Sequence, residues 1–119
     1  MRRQPLQCPF CESCPASPVD IDLKSVEIIG GICECGAVYA LDRTGHNLGE
    51  IFMDALTFLC KGDIDMALSL MPDDYETETL DYDIHTNTIS SRPEVSRRSS
   101  KLVFIRMKRG NTKSILYKR

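Results

Sequence analysis

The sequence predicts an α+β protein built in three successive parts. These are a metal-stapled β segment over residues 1–43, a helical hairpin, and a C-terminal antiparallel β-meander with a basic loop, the last two falling within 44–119. Two close cysteine pairs, Cys8 with Cys11 and Cys33 with Cys35, bracket a stretch that alternates polar and apolar residues. Apolar side chains then recur at helical spacing from Leu48 to Met71, and strand-like alternation returns from Leu80 onward.

At 119 residues and 13.4 kDa the chain is one ordinary domain, or a mini-domain stapled to a small partner. Hydrophobic residues make up 42% but aromatics only 7%, with no Trp, so the core rests on Ile, Leu, Met and Val. No apolar run reaches the length of a membrane span. Met1-Arg2-Arg3-Gln4-Pro5 has no apolar run behind its basic residues, so neither a secretory nor a twin-arginine signal is expected. Six cysteines in such a chain point to metal-held thiolates in a reducing cytoplasm rather than to disulfides. The net charge of −2 hides an asymmetry: residues 1–91 carry 5 Lys and Arg against 16 Asp and Glu, and residues 92–119 carry 10 against the single Glu94. Charges of −11 and +9 at the two ends bear on partners or internal docking, not on fold.

In the first turn, Cys8-Pro9-Phe10-Cys11, proline presets the backbone and two intervening residues let both sulfurs face one ion. Asp20-Ile21-Asp22-Leu23 and Val26-Glu27-Ile28-Ile29 read as strands joined by a turn at Lys24-Ser25. Gly30-Gly31 reads as a bend or bulge before the second turn, Cys33-Glu34-Cys35-Gly36. Gly36 stands where a positive φ brings its amide toward a sulfur, and Ala37–Leu41 reads as a returning strand. Two close cysteine pairs on tight turns are a way for a short chain to build a tetrahedral all-thiolate site.

Turn, hairpin, turn and returning strand resemble the zinc-ribbon family over about residues 6–42. The resemblance implies an N-terminal zinc ribbon with Cys8, Cys11, Cys33 and Cys35 as ligands of a structural zinc. It departs from the family at Glu12, where glycine is usual, and in the single residue between Cys33 and Cys35, where two are usual. Members of the family bind nucleic acid, sit in transcription and translation machinery, or serve as structural staples. Cys14 is a candidate extra ligand, because Cys8, Cys11 and Cys14 share the spacing of part of an iron–sulfur run, whose next cysteine position holds Pro18. Iron or an iron–sulfur cluster completed by Cys33 or Cys35 is thus the alternative to zinc, with a spare thiol the plain reading of Cys14. Cys60 falls in a helical apolar stripe and reads as inert core.

Asn47 with Glu50 resembles a helix cap, and Leu48, Phe52, Ala55, Leu56 and Leu59 share one helical face. Lys61-Gly62 stops that helix. Asp63 caps a shorter one using Ile64, Ala67, Leu68 and Met71 and ending at Pro72. This second helix lacks Lys and Arg, so it is no major-groove reader. His46, in the polar loop before the first helix, and His85 have no paired acid at a recognisable spacing and read as surface residues.

Asp73–Glu78 reads as a solvated acidic connector, and Leu80, Tyr82 and Ile84 as the apolar side of a half-exposed strand. Residues 90–100 are polar, basic and Ser-rich and read as a loop; Leu102–Met107 is strand sequence, and Ser114–Tyr117 is a pairing strand for a terminal hairpin. The basic residues Arg97, Arg98, Lys101, Arg106, Lys108, Arg109 and Lys113 are candidate contacts to RNA or DNA. The competing reading docks this basic strand on the acidic strand around Asp81 and Asp83, or on an acidic protein surface. No Gly-rich phosphate loop, no Ser or Cys with His and acid, and no two-histidine motif is present. No catalytic residue is assigned. The expectation is a small cytoplasmic zinc protein acting as an adaptor or a nucleic-acid-associated accessory, with no membrane partner. An iron–sulfur or redox protein using Cys14 is the alternative, and a zinc-dependent enzyme the third reading.

Overall fold

Alternating side chains make two strands of this chain inner strands with a core on each side. Val38 and Ala40 point one way and Tyr39 and Leu41 the other, as do Val103 and Ile105 against Leu102 and Phe104. The computed structural model describes residues 4–23, 26–45, 47–90 and 100–108. Its elements are β1 (Gln4–Pro5), β2 (Val19–Leu23), β3 (Val26–Ile32), β4 (Val38–Asp42), α1 (Leu48–Leu59), α2 (Ile64–Ser69), a 3-10 turn (Pro72–Asp74), β5 (Tyr75–Asp83), β6 (Thr88–Ser90) and β7 (Ser100–Met107). Among the described residues the seven strands form one antiparallel sheet in the order β1-β6-β5-β7-β4-β3-β2.

This corrects the predicted architecture. A separate N-terminal ribbon followed by a helical hairpin and a β-meander is not what forms. β4 pairs with β7, setting Tyr39 opposite Phe104 and Leu41 opposite Leu102, so the strands flanking the cysteine pairs and the C-terminal strands share one sheet. The physical reason lies in β4, which is buried at all five positions. A three-stranded ribbon would leave its outer edge unpaired and its second face wet; β7 supplies the hydrogen-bonding edge and the aromatic neighbour. Nor do the helices make a hairpin layer. α1 lies on one face of the sheet, packing Ala55, Leu56 and Leu59 against Ile28, Val38 and Ile105. α2 is six residues, under two turns, and buries only Ala67. Three apolar residues in and just after it, expected in the core, face out: Ile64, Leu68 and Met71 are exposed. Cys60 is buried in the α1 core, as expected of an apolar-stripe thiol.

The opposite face is covered by the N-terminal segment. Leu6, Cys8 and Cys33 pack there with Tyr39, Leu80, Tyr82 and Phe104. Gly30 and Gly31 make no bulge. They sit in register within β3, opposite Ala40 and Tyr39, because a side chain at either place would run into Tyr39. The acidic connector is also revised, since Tyr75–Glu78 opens β5 and pairs with β7.

Asn47 is the N-cap residue of α1, but its side chain makes no capping bond. The entry to the helix is held instead by the buried Asp42. Its carboxylate accepts from the Asn47 amide at 2.8 Å, the Gly45 amide at 3.1 Å, and the Thr44 amide and hydroxyl at 3.2 Å. Asp63 does cap α2, accepting from the Met66 amide at 3.0 Å. His85 lies in the turn after β5. Lys24-Ser25, His46, the basic loop from 91 to 99 and the hairpin expected at Ser114–Tyr117 lie outside the described residues.

Candidate metal centre

Two knuckles build the site. In the first, the Cys8 amide donates to Ser13 and the Cys8 carbonyl accepts from Glu12, which takes a φ of 67° where a glycine would be at ease. In the second, the Cys33 amide donates to Ala37 and its carbonyl accepts from Gly36, whose φ is 97°. The Ser13 hydroxyl then bridges the knuckles, donating to Glu34 Oε2 at 2.6 Å. Cys8 and Cys33 are buried in the core beneath Tyr39, while Cys11 and Cys35 lie nearer the surface.

The four Sγ atoms of Cys8, Cys11, Cys33 and Cys35 all lie within 4.8 Å of one another, positioned to bind a metal ion. Each knuckle faces its counterpart, Cys8 to Cys35 at 3.8 Å and Cys11 to Cys33 at 3.4 Å. These separations are far longer than a disulfide of about 2.05 Å, and all six cysteines are free. Tetrahedral bonds of about 2.3 Å place sulfurs about 3.8 Å apart, so little movement separates this arrangement from a filled one. Hydrogen bonds from Ser13 hold the Cys11 thiol down at about 6, whereas burial pushes Cys33 up to about 12 and also raises Cys8. A cation drawn into the group replaces those protons and removes this inequality.

Arg106 adjoins the sulfurs. Its guanidinium donates to Glu76 Oε2 from Nε at 3.0 Å and from Nη2 at 2.7 Å, and its Cζ lies 4.9 Å from the Phe10 ring centroid. Glu76 first, and then Cys35, hold its charge more firmly than usual. The sequence pointed to Arg106 as a nucleic-acid contact. Its place beside the metal centre arises from the pairing of β5 with β7, thirty residues apart in register at Glu76 and Arg106, and no local pattern signals that.

Cys14 is exposed and stands outside the four-sulfur group. Of the basic candidates, Lys101 is ion-paired with the buried Asp81 and Arg106 with Glu76, while Lys108 is exposed just past β7. Arg97, Arg98, Arg109 and Lys113 lie outside the described residues. No helix among the described residues is long and apolar enough to cross a membrane. Compared with known proteins, the chain matches no family model, and no curated protein or solved structure is significantly similar to it.

Proposed function

We propose that this is a small, non-catalytic zinc protein of the reducing cytoplasm, an adaptor whose zinc, held by Cys8, Cys11, Cys33 and Cys35, fixes the N-terminal half of the sheet. The observation that carries the reading is the closed set of four thiols within 4.8 Å of one another. Four cysteine ligands leave no position for substrate, which is the mark of a structural rather than a catalytic site. The close sulfur spacing also favours a single ion, because a cluster spreads its cysteines over several iron atoms. The likeness to zinc ribbons thus rests on the knuckles and their ligands alone.

The adaptor reading is preferred to a nucleic-acid accessory because Lys101 and Arg106 are matched to Asp81 and Glu76 across the strand pair. Opposed charges in register are what internal docking of the basic strand calls for. Metal analysis and an absorption spectrum of protein purified without added metal test the centre. One zinc per colourless chain is expected; iron with visible absorption, or no retained metal, overturns it. A low-salt titration against single- and double-stranded nucleic acid tests the second choice, and salt-sensitive binding there reverses it.

A further inference from the structure

Among the described residues, six large apolar side chains are exposed, and four of them fall into two neighbouring patches. The first patch is the outer side of α2. Ile64 and Leu68 lie one turn apart and Met71 just beyond, at 49%, 65% and 60% exposure, rimmed by the exposed Asp63, Asp65 and Asp73. Among the described residues such a stripe has no anchor, because Ala67 and Leu70 already face the core. The second patch is a cavity of about 440 Å³ beside the end of α1, next to the second knuckle. Ile32, at 62% exposure, and Phe58, Leu59 and Met107 give it an apolar wall. Its rim carries Lys61, Arg106 and Lys108 against the single acid Glu76.

The patches are complementary in both respects: an apolar ridge with acidic edges, and an apolar hollow with a net positive edge. They also adjoin, since Lys61 and Asp63 flank Gly62 at the junction of the helices. Two patches side by side on one surface can be exchanged across a two-fold axis, so that the contact closes on itself. Nucleic acid and anionic membrane are both repelled by the acids flanking α2.

We infer that the occupant of the cavity is α2 of a second copy, giving a symmetric homodimer in which each Leu68 enters the partner's hollow. Burying two apolar stripes supplies the attraction, and the opposed rims set the register.

Sedimentation velocity on the full chain as purified, over a dilution series, tests this. A concentration-dependent dimer is expected. Leu68→Glu, a change at an exposed site, should abolish it while leaving the circular dichroism spectrum unchanged. Asp65→Lys and Lys108→Glu should each weaken association about tenfold, and the double variant should recover most of that loss, as coupled charges do. If Leu68→Glu misfolds, the charge pair decides. A monomer at every concentration, a dimer indifferent to these changes, or a double variant no tighter than either single change overturns the inference.

Discussion

The Tyr39 hydroxyl donates to the Ala16 carbonyl at 2.5 Å, tying the buried centre of β4 to the segment between the first knuckle and β2. The same ring stacks on Phe104 at a centroid distance of 5.1 Å. Tyr39→Phe keeps the ring and loses the bond, so a loss of about 1 kcal/mol is expected in urea unfolding. Burial raises Tyr39 and Tyr82 above the usual phenol value. A raised acid stabilises the fold below its unfolded pKa of about 10, and that contribution is lost as pH rises through the folded value. Stability should therefore fall above pH of about 10, and less steeply in Tyr39→Phe.

Gly31 faces that ring from β3: an added Cβ would lie 2.5 Å from the Tyr39 hydroxyl oxygen and 2.7 Å from Cζ. At Gly30 it would overlap the Tyr39 carbonyl, which is backbone and has less room to yield. Gly31→Ala should cost about 1–3 kcal/mol in thermal unfolding, and Gly30→Ala more. Equal, negligible effects at the two sites would contradict the close approach of β3 to β4.

Replacing any one of Cys8, Cys11, Cys33 or Cys35 by Ser should release the metal and loosen the sheet around it, since affinity in such a site is largely folding energy. Cys14→Ser and Cys60→Ser should retain it. Acid should release it as well, because protons compete for the sulfurs. Metal content after dialysis at falling pH checks both points, and loss in Cys14→Ser would mean a different ligand set.

Asp42 and Asn47 separate two ways of starting a helix. Asp42→Ala removes a buried acceptor of four hydrogen bonds and should cost about 2–3 kcal/mol. Asn47→Ala removes a side chain that caps nothing and should stay within about 0.5 kcal/mol. Denaturant midpoints of the two variants give the comparison.

Lys101 stands in register between Asp42 on β4 and Asp81 on β5, and its ammonium pairs with Asp81, which is 4% exposed. Lys101→Met removes the ion pair from a buried carboxylate and should cost about 3 kcal/mol. Adding Asp81→Leu should recover most of the loss, because an apolar pair of similar volume has no charge to desolvate. A double variant as unstable as the single one would assign the cost to packing.

The four sulfurs were legible because each pair lies within a four-residue turn and the intervening strands alternate. α1 was legible from its apolar stripe, and so was the cap at Asp63. What failed depended on distance along the chain. Nothing near Tyr39 indicates that Phe104, sixty-five residues later in register, completes its environment. Once β7 inserts between β4 and β5, the supposed ribbon loses its separate identity and Arg106 arrives beside Cys35. The stripe on α2 misled for the opposite reason: its spacing is right for a core, but only Ala67 is buried.

The order of the strands also bears on how the chain is made. β7 is the last strand of the described chain to leave a ribosome, yet it lies between β4 and β5, and the four clustered cysteines lie within the first 35 residues. The knuckles can close on an ion early, but β4 and β5 wait with unpaired edges until residues 100–107 arrive. A chain truncated before Ser100 should therefore hold metal yet remain open to proteases, and restoring Ser100–Met107 should close it.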